Sequence, residues 1–159
     1  MAFFRKTISV NKMLKRVARG DMPRFIDLRG NYCVAIPGSI PVLFDADLFF
    51  EEEMWVQDML GVQFRTDQMV IILCEFGQTS EAALDLFMEK NPKTPFDLRT
   101  LKGGMESYRS ALSKLTKGFK KQALFEKELT SLSTHPARFQ QIIQGLQKNQ
   151  KSFLASLFQ

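Results

Sequence analysis

Histidine and tryptophan each occur once in this chain and cysteine twice, and each scarcity removes a class of chemistry. Cys33 and Cys74 are too few for a disulfide framework and show no repeated metal-ligand spacing. His135 has no partner close in sequence for a zinc site or a Cys–His dyad, so no metal and no other cofactor is expected. No apolar run reaches the length of a membrane span, and no signal core precedes a small-residue cleavage site. Acid is missing from residues 1–20, which carry Arg5, Lys6, Lys12, Lys15, Arg16 and Arg19. A transit peptide has that composition. Ser9 as a cap, Met13, Leu14 and Val17 on one face and Gly20 as a stop instead predict the first helix of the fold, over 9–19. Reduced cysteines and the lack of a span make the cytoplasm the expected compartment.

What the chain does contain is an ordinary globular composition: 159 residues, 45% hydrophobic and 25% charged. That is enough for one domain with a core and an appended element. The net charge of +5 hides an uneven distribution. Residues 1–108 hold 13 Lys and Arg against 15 Asp and Glu, a balance of −2, whereas 109–159 hold 9 against 2, a balance of +7. Residues 113–159 therefore read as a basic amphipathic helical extension to a domain over 1–112. In it Phe125, Leu129 and Leu132 form one stripe, and Thr134-His135-Pro136 opens a second helix carrying Phe139, Ile142, Ile143 and Leu146. Phe153, Leu154, Leu157 and Phe158 continue the apolar character. A helical hairpin packed on the domain or on a second subunit fits this pattern, which makes 119–159 a candidate surface for a protein partner or self-association. Its charge density is modest and no aromatic platform is interleaved with the lysines, which argues against nucleic acid.

Upstream, strands and helices alternate. Residues 24–28 read as a strand, 30–41 as an irregular Gly- and Pro-rich segment, and 47–60 as a helix whose acidic run Glu51 to Glu53 forms a solvated face. A strand at 69–73, a helix at 80–90 capped by Thr79 or Ser80, and a strand at 96–98 follow. This order predicts an α/β fold with an open parallel sheet of about five strands and helices on both faces. The four apolar residues Val70, Ile71, Ile72 and Leu73 suit a buried central strand that delivers Cys74 into a tight loop. Backbone N–H groups of such a loop, with the positive end of the next helix, favour an anionic sulfur and so a nucleophile. The alternative is an inert packing cysteine. Gly77, where the backbone must turn sharply, favours chemistry.

Five fragments of the sequence together resemble the rhodanese-like domain of sulfurtransferases, over about residues 7–112. They are Ile8-Ser9 opening the first helix, Phe25-Ile26-Asp27-Leu28-Arg29, Ile36-Pro37-Gly38-Ser39, the Cys74 loop, and Leu101-Lys102-Gly103-Gly104 followed by Met105 to Tyr108. The resemblance implies a rhodanese-like sheet and a six-residue active-site loop, Cys74 to Thr79, whose cysteine takes sulfane sulfur from a donor and hands it to a thiophilic acceptor. Cys74 is then the nucleophile, and the backbone of Glu75, Phe76, Gly77, Gln78, Thr79 and Ser80 forms the anion-binding loop, with Thr79 and Ser80 as hydroxyl donors. Asp27 and Arg29 read as structural supports that bond the loop backbone or each other.

The sequence also departs from the family pattern. Glu75 stands where thiosulfate-using members often carry a basic residue, and a carboxylate there disfavours the thiolate and repels a dianionic donor. Ala35 replaces the usual histidine before Ile-Pro-Gly, Tyr108 replaces the usual tryptophan, and Cys33 stands near an arginine position of some two-domain members. Cys33 is also a candidate to resolve a persulfide on Cys74 as a disulfide. Cys74-Glu75-Phe76 is similar to the loop opening of dual-specificity phosphatases, but the seventh loop position is Ser80 rather than a phosphate-clamping arginine. That argues against phosphatase or arsenate reductase activity. The competing function is a catalytically silent rhodanese-like interaction module.

Overall fold

The computed structural model describes residues 7–30, 34–42 and 64–157. In it β4 (Met69–Leu73) is the centre of a five-stranded sheet, and all five of its residues are buried. The sheet order is β1 (Thr7–Ile8), β5 (Asp97–Leu101), β4, β2 (Arg24–Asp27), β3 (Ile40–Pro41), and every neighbouring pair is parallel. This is the open parallel sheet that the strand–helix alternation and the rhodanese resemblance implied. Both edge strands are only two residues long, and Pro41 sits at one of them, where a missing N–H costs no ladder bond.

Successive side chains of β4 feed two cores. Met69, Ile71 and Leu73 join the cluster on one face, whereas Val70, Ile72 and then Cys74 join the cluster on the other. The Cys74 face is covered by α2 (Gln78–Lys90) through Ala83, Leu84 and Phe87. The opposite face is covered by α1 (Val10–Ala18), α3 (Gly104–Thr116) and three further helices, α4 (Gln122–Leu129), α5 (Pro136–Gln147) and α6 (Lys151–Ser156).

Local signals place most of these elements. Ser9 caps α1 by accepting from the Lys12 N–H at 3.2 Å. Gly20 ends it with a φ of +84°, and the paired bonds Gly20 N–H to Val17 O and Asp21 N–H to Arg16 O make a Schellman turn. His135 caps α5 through Nδ1 with Pro136 at the first helical position, as its sequence predicts. The start of α2 differs from expectation. Gly77, with a φ of +93°, is the cap and Gln78 the first helical residue, so Thr79 and Ser80 lie inside the helix. The expected strand at 96–98 is longer, reaching Leu101, and the first tail helix ends at Leu129, short of the Leu132 of its expected stripe.

The basic extension packs on the rest of the chain. Phe125, Leu129, Phe139, Ile142, Ile143, Leu146 and Leu154 are buried in one cluster with Met13, Leu14, Val17, Leu101, Met105 and Tyr108. Tyr108 ties the two parts by a polar contact as well, its hydroxyl donating to Leu129 O at 2.5 Å. Among the described residues no helix is long and apolar enough to cross a membrane. The helix expected at 47–60, with its acidic run, and Cys33 lie outside the described residues.

Candidate active site

Cys74 follows the last residue of β4, at the carboxyl end of the parallel sheet, where open α/β folds place ligands. It is 6% exposed. Its Sγ accepts from two backbone amides, Gly77 N–H at 3.2 Å and Ser80 N–H at 3.3 Å, and its own proton points to Ser80 Oγ at 3.4 Å. Ser80 in turn donates to Gly77 O at 3.0 Å. The left-handed turn at Gly77 makes this possible by curling the chain so that the first turn of α2 faces the sulfur. The expected cradle of N–H groups from Phe76 to Ser80 is therefore realised at two positions, Gly77 and Ser80. Gln78 and Thr79 are exposed, and Phe76 projects from the loop tip with 63% of its surface open.

A second helix terminus supports the loop from beneath. Met105 N–H donates to Cys74 O at 2.9 Å and Glu106 N–H to Glu75 O at 3.0 Å, so the unpaired amides of the first turn of α3 hold the loop carbonyls. This contact explains Gly103-Gly104. A Cβ on Gly104 would come within 2.3 Å of Cys74 O, and one on Gly77 within 3.1 Å of the Gly103 nitrogen. The glycines of two separated motifs thus pack backbone on backbone.

Asp27 and Arg29 bond each other at the end of β2. Asp27 is 1% exposed, and Arg29 donates to both of its carboxylate oxygens and to Val34 O at 2.8 Å. Arg29 also reaches Glu75 Oε2 at 3.0 Å, and Arg109 of α3 pairs with the other oxygen, Oε1. The Glu75 carboxylate therefore lies between two guanidinium groups. Glu75 is thus a paired carboxylate and not a bare negative charge beside the thiol. Arg109 is the residue that sequence reasoning missed. Its only signal was its place five residues after Gly104, on the face of α3 that follows the glycine motif.

Among the described residues no group of His, Cys, Asp and Glu is arranged to hold a metal ion. The seventh loop position is filled by the buried Ser80 hydroxyl.

No protein-family model matches the chain, and no curated protein matches it in sequence. Several solved structures are similar in fold. A rhodanese-related protein from Thermoplasma volcanium aligns at 14% identity and a TM-score of 0.46 over 67% of this chain and 92% of that one. Reduced CoADR-RHD from Bacillus anthracis aligns at 20% identity and a TM-score of 0.45 over 69% of this chain, which spans only 17% of that longer protein. A protein of unknown function from Rhodopseudomonas palustris, described as a possible tyrosine phosphatase, aligns at 16% identity and a TM-score of 0.42 over 67% of this chain and 81% of that one.

Proposed function

We propose that this chain is a rhodanese-like sulfurtransferase that carries sulfane sulfur as a persulfide on Cys74. The observation that carries the reading is the pair of amides, Gly77 N–H and Ser80 N–H, aimed at Sγ from the turn that opens α2. These two donors are placed to hold negative charge that gathers on the sulfur during transfer, and they suit the terminal sulfur of a persulfide.

Two half-reactions follow. The Cys74 thiolate attacks the sulfane sulfur of a donor, a new S–S bond forms on Cys74, and the donor leaves as its anion. An acceptor thiolate then attacks the outer sulfur, the S–S bond to Cys74 breaks, and its electron pair returns to the Cys74 thiolate. No oxidant or reductant is consumed, and no cofactor is required. The loop has no arginine at its seventh position to neutralise a transferring phosphoryl group, which disfavours phosphatase chemistry.

The low exposure of Cys74 favours a second reading, a silent interaction module in which the loop is structural. Intact-mass spectrometry after incubation with a low-molecular-weight persulfide separates the two. An increment of about 32 Da in the wild type, absent in Cys74→Ala and removed by an added thiol, is the expected result. No increment with persulfide, mercaptopyruvate or thiosulfate leaves the module reading.

A further inference from the structure

We propose that the basic extension carries a binding site for a single-chain amphipathic carboxylate, in a recess on the side of the sheet opposite Cys74. The recess has a volume of about 350 Å³ and lies between the turn that joins α3 to α4 and the start of α6. That falls within the roughly 300–1,000 Å³ of small-molecule sites. Its lining residues Phe125 and Leu154 belong to the core cluster on one face, whereas Cys74 belongs to the cluster on the other. The site therefore stands apart from sulfur transfer.

The local sequence builds an apolar pocket. Gly118, with a φ of +87°, turns the chain after α3, and a Cβ there would meet nothing within 4 Å, so that side is open. Phe119 then folds back on Phe125, edge to face, with ring centroids 5.8 Å apart. Phe125 and Leu154 are 3% and 1% exposed and form the inner wall. Ala155, exposed on α6, is small enough to leave the entrance clear. Such a pocket stabilises a hydrocarbon tail by removing it from water.

Charge selects the other end of the ligand. Lys120, Lys121 and Lys151 line the same recess from exposed positions, and no carboxylate lines it among the described residues. Lys151 Nζ stands 5.9 Å from the centre of the Phe119 ring, so its stem follows the apolar wall while the ammonium stays at the wet edge. A neutral apolar molecule would use only the wall; an amphipathic anion uses the wall and the ammonium groups together. The lining is confined to 118–125 and 151–155, which is room for one tail. A partner helix, roughly 10–12 Å across with its side chains, does not fit such a recess.

Binding is tested by titrating octanoate, hexanoate and octylammonium, each below its micelle concentration, into the isotope-labelled full chain and following amide shifts by NMR. Octanoate is expected to shift the amides of 118–121 and 151–155. It binds about fifteenfold tighter than hexanoate, from about fourfold for each of two buried methylenes, and at least about tenfold tighter than octylammonium. Lys120→Gln combined with Lys151→Gln removes most of the preference between the two head groups and keeps the dependence on chain length. Ala155→Leu, which fills the entrance from an exposed position, weakens octanoate with the amide dispersion unchanged, and Cys74→Ala leaves octanoate binding as it was. Equal binding of octanoate and octylammonium, indifference to chain length, shifts confined to other residues, or binding to phosphatidylserine vesicles without binding to octanoate overturns the proposal. None of these readouts depends on the mass increment at Cys74, so either reading fails without the other.

Discussion

Arg29 donates to Glu75 Oε2 at 3.0 Å and so joins the end of β2 to the loop after β4. The same guanidinium covers the buried Asp27 carboxylate, with Nη2 at 2.7 Å from Oδ2. A short Asp-x-Arg motif thereby becomes the support on which the Cys74 loop rests.

Arg29→Gln is expected to be severely destabilising. It leaves Asp27 buried without its cation, a loss on the order of 3–5 kcal/mol, and leaves Glu75 held by Arg109 alone. Asp27→Asn in the same chain removes the stranded charge and recovers part of the loss. Urea denaturation of the two single variants and the double variant checks this. A cost for Arg29→Gln below about 1 kcal/mol, the range of exposed ion pairs, contradicts the role given to this contact.

Gly104→Ala is expected to cost on the order of 2–4 kcal/mol, because two effects add. The residue has a φ of +61°, and the new Cβ meets main-chain oxygens at 2.3 and 2.7 Å that no rotamer change can move. Gly118→Ala is the control. Its φ is +87° but nothing lies within 4 Å of the added carbon, so only the conformational cost of about 1–2 kcal/mol remains. Equal effects of the two substitutions would show that the close approach of α3 to the Cys74 loop is unimportant.

The contrast between these glycines also shows how far the sequence could be read. β4 was legible because a strand buried on both faces is a continuous apolar run, and Cys74 follows directly from its end. The tail helices were legible from stripes such as Phe139, Ile142, Ile143 and Leu146. The start of α2 was not. Hydroxyl residues are the usual caps, but here the left-handed Gly77 takes that position and Ser80 is drawn inward to bond Gly77 O and the thiol. Arg109 and Glu75 are 34 residues apart, and a pairing between a helix and a loop leaves no periodic trace, so Glu75 looked unpaired in the sequence.

Tyr108→Phe should reveal a pH dependence. Burial holds the Tyr108 hydroxyl well above its ordinary value of 10.0. Above about pH 10 the unfolded chain gives up this proton while the native state keeps it, so the unfolded state binds fewer protons and stability falls as pH rises. Near neutral pH the variant is expected to be about 1 kcal/mol less stable than the wild type, because Leu129 O loses its donor. Near pH 11 the wild type has lost roughly 1.4 kcal/mol that the variant keeps, so the difference closes or reverses. Urea midpoints across this range measure it, and a constant difference would mean that the hydroxyl titrates normally.

Residues 1–112, the domain expected from the sequence without its extension, are expected not to fold when produced alone. The truncation removes Phe125, Leu129, Phe139, Ile142, Ile143, Leu146 and Leu154, all buried against α1 and α3 or one another. Each such side chain contributes about 1.5–3 kcal/mol by burial, so together they rival or exceed the net stability of a typical domain, roughly 5–15 kcal/mol. The cut also exposes Met13, Val17 and Met105, which are wholly inaccessible in the intact chain, as a new apolar face. Circular dichroism and amide-dispersion NMR of the fragment decide the matter. A cooperative, monomeric 1–112 would make the extension a detachable module; an aggregated or molten fragment, rescued by adding residues 113–159 in trans, would make it part of the core that holds β5 and the Cys74 loop in place.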